Sequence, residues 1–176
     1  MSSCGVADRS PPARWEPLRP CDLVALGRIA GIVHPAYPER DEVPAERLAL
    51  FGPGCFAAWA GPAMVGYAIS HPARRGDPPA LDTLLGTLPT APDCLYLHDV
   101  ALLPAARGAG LGAALIARLV PLARARGLPA LALVAVGGSC RYWAARGFRR
   151  PPEPSAGLAA KLASYGDSAA YMERPL

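Results

Sequence analysis

Two short stretches carry residue types that chemistry can use: Arg107-Gly108-Ala109-Gly110-Leu111-Gly112 and, a few positions upstream, His98-Asp99. Alternating glycines let a backbone turn tightly and approach a ligand, and the free N–H groups at a helix start favour an anion. The first stretch therefore reads as a phosphate cradle. His98 offers an imidazole, whose ordinary pKa near 6.5 suits proton transfer around neutrality, and Asp99 places a carboxylate next to it. Neighbouring strand residues point to opposite faces, so one of the two is expected to reach a cleft and the other to face away. The bland alternative is that both hold the strand through local hydrogen bonds. His71, at the end of another strand-like segment, is a second candidate base. His34, in a turn, is a third and reads more readily as structural.

Those residues need a strand and a helix to hold them. Leu95–Leu103 (LYLHDVALL) is rich in β-favouring types and ends at Pro104, which cannot donate to a ladder. Beyond the glycines, Leu111, Leu115, Leu119 and Leu122 recur at steps of three and four, the buried stripe of a helix over Leu111–Arg126. Ala130–Val136 is a further apolar strand, expected parallel to the first through a right-handed crossover. A dinucleotide-binding unit is disfavoured, because its pattern opens on Gly and an acidic residue closes its second strand.

Upstream, the pattern predicts a strand at Trp15–Arg19 and a helix at Asp22–Ile32 with Asp22 as N-cap. A proline-rich turn then leads to a second helix at Pro44–Phe51 and a hairpin of Cys55–Trp59 with Ala63–Ser70. The long, proline-rich stretch from His71 to Asp93, with one helical turn at Leu81–Leu85, reads as a flap over the site. A short helix at Gly157–Ala163 and a last strand at Ala169–Arg174 complete the chain.

At 176 residues the chain is expected to form one domain, with residues 1–13 as a disordered tail. The hydrophobic fraction is 52%, yet no apolar run approaches the roughly 20 residues of a membrane span. With no secretory h-region at the start, a cytoplasmic protein without membrane contact is expected. The five cysteines are scattered without metal-type spacing, so neither a disulfide framework nor a metal site is expected. The net charge of +4 comes almost wholly from arginine, Lys161 being the only lysine. It suits a polyanionic ligand near Arg107, Arg141, Arg146, Arg149 and Arg150, the last four reading more readily as solvated surface residues, better than it argues for nucleic acid, which is not expected as a partner.

LLPAARGAGLG, a strand, and then SCRYWAARGF together resemble the acyl-coenzyme A core of the GNAT N-acetyltransferase superfamily. The resemblance covers roughly Leu95–Phe148. It implies an α/β (α+β) fold with a mixed sheet of about six to seven strands flanked by about four helices. It implies acetyl-CoA as donor, no metal, an amine acceptor and direct attack in a ternary complex. Cofactor contacts would come from Ala101, Leu102 and Leu103 on the strand, from Arg107, Gly108, Ala109, Gly110, Leu111, Gly112 and Ala113, and from Trp143. The family's usual acid, a tyrosine four residues before the Gly-Phe pair Gly147-Phe148, is Trp143 here. Tyr142 is the nearest phenol in sequence, although one helical step turns it by about 100°. The expected catalytic residues are thus His98, Asp99 and Tyr142. Two functions stay open: an N-acetyltransferase, or a coenzyme A-binding protein of the same fold without catalysis. The oligomeric state is open too, a homodimer being one option.

Overall fold

The protein is described from a computed structural model that covers residues 12–152 and 157–176. Most of the expected tail, Cys4 and Pro154 lie outside the described residues.

Six strands form one sheet in sequence order: β1 Arg14–Pro17, β2 Cys55–Ala60, β3 Ala63–Ala73, β4 Cys94–Leu102, β5 Ala130–Ala135 and β6 Ala170–Pro175. Every neighbouring pair is antiparallel except β4 and β5, which run parallel. Helices α1 (Leu23–Val33) and α2 (Glu42–Phe51) precede the sheet's centre, α3 (Leu111–Arg124) links β4 to β5, and α4 (Cys140–Ala144) and α5 (Leu158–Ala163) come after β5. Five α-helices are therefore seen among the described residues, where about four were expected.

The helix beyond the glycines buries Leu111, Leu115, Ile116, Leu119 and Ala123 against Leu95, Leu97, Leu131 and Leu133 of the two parallel strands. Each fully buried leucine contributes about 1.5–3 kcal/mol. Leu122 is only partly buried, Ile116 and Ala123 completing the stripe. Trp15 Nε1 donates to the Leu111 carbonyl at 2.8 Å, tying β1 to the first turn of α3. On the opposite face, Leu26 and Ile29 of α1 pack with Tyr67, Ile69 and Ala101.

Three expectations change. Asp22 holds the expected N-cap position of α1, but its side chain makes no capping bond: its carboxylate accepts from the Arg19 backbone N–H at 2.9 Å and from the Arg19 guanidinium, closing a short 3₁₀ turn. Leu81–Leu85 is not helical; Asp82 sits at φ +55 and the segment is held by side chains instead. The strand predicted to stop at Ser70 continues through Pro72, because β2 pairs with β3 only up to Ile69 and leaves the missing N–H without a partner strand on that side.

Two features of β4 shape the cleft. It pairs with β5 only over Leu95–Leu97, opposite Leu131–Leu133, and then diverges. Its register with β3 shifts between Ile69, opposite Asp99, and Ser70, opposite Leu97, so His98 is an extra, bulged residue.

Candidate active site

The bulge overturns the expectation that His98 and Asp99 face opposite ways. Leu95 and Leu97 pack on the α3 side, but beyond the bulge it is Val100 and Leu102 that do so. The inserted residue changes the side-chain phase, and both His98 and Asp99 end on the α1 side. His98 Nε2 donates to Glu39 Oε2 at 3.1 Å. Asp99 Oδ1 lies 3.2 Å from His34 Nε2, and its other oxygen accepts the Tyr67 hydroxyl.

His34, the residue after the last turn of α1, is thus the histidine with a carboxylate and a strand carbonyl in reach. Its Nε2–H also points at the Val100 carbonyl, 3.2 Å away. With Nε2–H committed to both oxygens, the neutral ring keeps its lone pair on Nδ1, the atom available to take a proton. Burial pulls the His34 pKa down, but the Asp99 carboxylate more than offsets this and leaves it above its ordinary 6.5. Burial pushes the Asp99 carboxyl up, and its bonds from His34 and Tyr67 hold it below the usual 3.8. Burial and the same carboxylate push Tyr67 well above 10, so its phenol stays a donor. His71 differs: burial and the neighbouring His98 lower it to about 3, and it is fully enclosed. A base that protonates there serves no reaction near neutrality.

At the other end, β4 stops at Leu102, a 3₁₀ turn of Pro104–Ala106 comes next, and Gly110 caps α3 at φ +77. Gly108 also has a left-handed φ of +81. Both conformations favour glycine, and a Cβ at either would meet nothing within 4 Å, so the loop stands open above the first N–H groups of α3. Arg107 Nε donates to the Leu102 carbonyl at 3.2 Å, carrying its charge across the turn. Ala109 and Ala113 are exposed and do not line the cleft. Ala101 is fully buried among α1-side residues and Leu103 N–H bonds Val65, so of the strand positions it is Val100 and Leu102 that border the opening.

The wall opposite β4 comes from α4. Tyr142 stacks edge-on with Trp143, which packs in the same way on buried Phe148. The Arg146 guanidinium lies 3.4 Å from the Tyr142 ring centroid. A Cβ on Gly112 would overlap the Tyr142 hydroxyl, so this glycine is what lets the phenol rest on the first turn of α3.

One cavity of about 780 Å³ joins these parts. It runs between diverged β4 and β5 and touches Gly108, Gly110 and Gly112 at one end and His34, Glu39, His98 and Asp99 at the other. Tyr142, Trp143 and Tyr165 line it between. Sequence reasoning gave Glu39 no part in the site and ranked His34 last. Their partners lie 59 and 66 residues away in the chain, a separation that leaves no local signal. Among the described residues no group of three or more His, Cys, Asp or Glu could hold a metal ion. No helix among them is long and apolar enough to cross a membrane.

Known proteins share this outline. The structure resembles the loading GNATL domain of CurA from Lyngbya majuscula, with TM-score 0.73, 14% identity, and coverage of 93% of this chain and 97% of that one. It resembles Arabidopsis thaliana Naa50 in complex with the bisubstrate analogue CoA-Ac-MVNAL, at TM-score 0.67 and 13% identity over 94% of this chain and 99% of that one. The ribosomal-protein-S18-alanine N-acetyltransferase from Escherichia coli matches at TM-score 0.56 and 20% identity, covering 93% of each chain. At such identities the likeness concerns the fold. No curated protein sequence matches the chain. The family model of the acetyltransferase (GNAT) family, however, matches residues 26–148, from α1 through the strand, glycine loop and Gly-Phe pair. With that sequence match laid over a sheet that splays beside the loop, the chain belongs to the acetyltransferase (GNAT) family.

Proposed function

We propose that this protein moves an acyl group, acetyl first among them, from acyl-coenzyme A to a primary amine by direct attack. The observation that carries the reading is the single cavity linking an open anion cradle to a half-buried His–Asp pair. Gly108, Gly110 and the α3 N-terminus, with Arg107 beside them, would hold the pyrophosphate. The free edge of β4 at Val100 and Leu102 would align the pantetheine arm. Bound acyl-coenzyme A supplies a thioester carbonyl at which a C–N bond can form as the C–S bond breaks. His34 takes the proton that the incoming ammonium must lose, Asp99 steadies the resulting imidazolium, and Tyr67 fixes Asp99. Tyr142 places a hydroxyl on the cavity wall from which a departing thiolate can be protonated.

Thiol release from acetyl-CoA, measured across a panel of primary amines, tests the reading. Gly110→Asp should weaken acetyl-CoA binding by about tenfold or more through charge repulsion at the helix start, read by calorimetry on the folded variant. Unchanged affinity would overturn the cradle. A second reading, a coenzyme A-binding protein without catalysis, is favoured by one observation: Trp143, which cannot protonate a thiolate, stands where the family carries its tyrosine. Tight acetyl-CoA binding with no thiol release for any amine would establish it instead.

A further inference from the structure

We propose that a second cavity, on the α1–α2 side of the His34–Asp99 pair, is the acceptor pocket, and that it takes a compact primary amine with one positive charge and an apolar body. The proposal rests on the acyltransfer reading above. The cavity measures about 330 Å³ and shares His34, Tyr37, Glu39, His98 and Asp99 with the larger one. An amine seated in it therefore meets a thioester held in the other across the same wall.

Its charge selects the ligand. The described residues that line it include the carboxylates of Glu39, Asp41 and Asp99 and no lysine or arginine. Glu39 is already occupied by His98 and by the Asp82 backbone N–H. Asp99 is occupied by His34 and Tyr67. Among the described residues none hydrogen-bonds the side chain of Asp41, which is exposed at the start of α2 and leaves one uncommitted carboxylate at the cavity's edge to draw in a single cation. An acceptor that carries its own carboxylate would face Glu39, Asp41 and Asp99 with no lysine or arginine in the lining to pair with it.

Its shape points the same way. Gly27 and Gly31 lie one turn apart on α1 and both line the cavity. Glycine inside a helix destabilises it relative to alanine, a cost usually offset by close packing. Here a Cβ on Gly31 would meet nothing within 4 Å, and one on Gly27 only Asp41 Oδ1 at 3.5 Å. What the two glycines preserve is open space beside Leu26, Ile69 and Tyr67. Beside the cavity, the flap is tied to α2 and the turn before it. Arg40 binds Asp82 at 3.0 Å, Arg47 donates to the Thr83 carbonyl at 2.6 Å, and Glu46 accepts from Leu85 and Gly86 N–H at 2.8 Å. At about 330 Å³ the cavity itself suits a small molecule better than a polypeptide.

The test compares 2-phenylethylamine with phenylalanine, spermidine and an unblocked tetrapeptide, at saturating acetyl-CoA on the full chain. Phenylethylamine is expected to exceed each of the others in kcat/KM by about 10- to 200-fold. Gly31→Leu should raise its KM by about tenfold or more and abolish its calorimetric binding to the coenzyme A complex, with acetyl-CoA affinity unchanged. Gly27→Leu should do the same, whereas Ile32→Ala, on the exposed outer face of α1, should alter neither. Turnover of phenylalanine, spermidine or the peptide as good as that of phenylethylamine would overturn the proposal. So would an unchanged KM in both glycine variants, and in either case the acyltransfer reading would stand. Acetyl-CoA binding without thiol release for any acceptor would instead bring down that reading, and this inference with it.

Discussion

At the scale of single residues, the pairing of His34 with Asp99 makes the clearest claim. If Asp99 raises His34, then replacing it by asparagine should let the imidazole fall back toward its ordinary value. The rising limb of kcat/KM against pH, which marks loss of the His34 proton, should move to lower pH, and kcat should fall by about 10²-fold. His34→Ala should remove the limb altogether. A pH profile untouched by either change would make the pair structural. The same shifts give the signs for stability. His34, raised in the fold, contributes stability that is complete below 6.5 and fades as pH rises through its folded value. Asp99, lowered in the fold, contributes above 3.8 and fades as pH falls through its folded value. Sequence singled out Asp99 from its place near the end of a strand before a glycine loop. It ranked His34 last because a carboxylate so far along the chain cannot be seen from a turn histidine.

At the scale of elements, β4 decides where the chemistry sits. Its bulge at His98 turns two successive polar residues to one face, and its divergence from β5 after Leu97 opens the cavity. The other edge of β4 depends on Gly66 of β3. A Cβ there would lie 2.5 Å from the Ala101 carbonyl oxygen and 2.5 Å from Leu102 Cδ2, with strand backbone on one side and little room to yield. Gly66→Ala should therefore cost about 1–3 kcal/mol, read as a lower urea midpoint. It should also weaken acetyl-CoA binding, because Leu102 borders the larger cavity, where the cofactor is proposed to sit. Normal stability with normal binding would show that β3 and β4 do not need this approach. The strand, the loop and α3 were legible in the sequence because each is a local pattern closed by Pro104 or opened by Gly110. The bulge was not, since one extra residue in a strand alters pairing without altering composition.

At the scale of the whole molecule, a buried polar layer runs beneath the site. Arg47 is fully enclosed, held by Glu46 and the Thr83 carbonyl, and His71, Tyr96 and His98 stack with ring centroids 5.5 to 6.2 Å apart. His71 stays neutral in the fold down to about 3, while the unfolded chain binds its proton near 6.5. Between those values the unfolded state holds more protons, so stability must fall as pH falls, by about 1.4 kcal/mol per pH unit for one such group. In His71→Leu the slope of unfolding free energy between pH 6 and pH 4 should be shallower by about one proton, whatever the variant's absolute stability. Denaturant titrations at a series of pH values read this directly, and an unchanged slope would place the acid sensitivity elsewhere.

Local sequence was enough to specify the helix with its leucine stripe, the parallel strands on either side and the glycine cradle. Each is written in residues a few positions apart, within the reach of periodicity, caps and turns. Long-range packing alone paired His34 with Asp99 and His98 with Glu39 and fastened the proline-rich flap through Arg40, Glu46 and Arg47. Those contacts join segments tens of residues apart, and burial sets their charges. No local pattern encodes either.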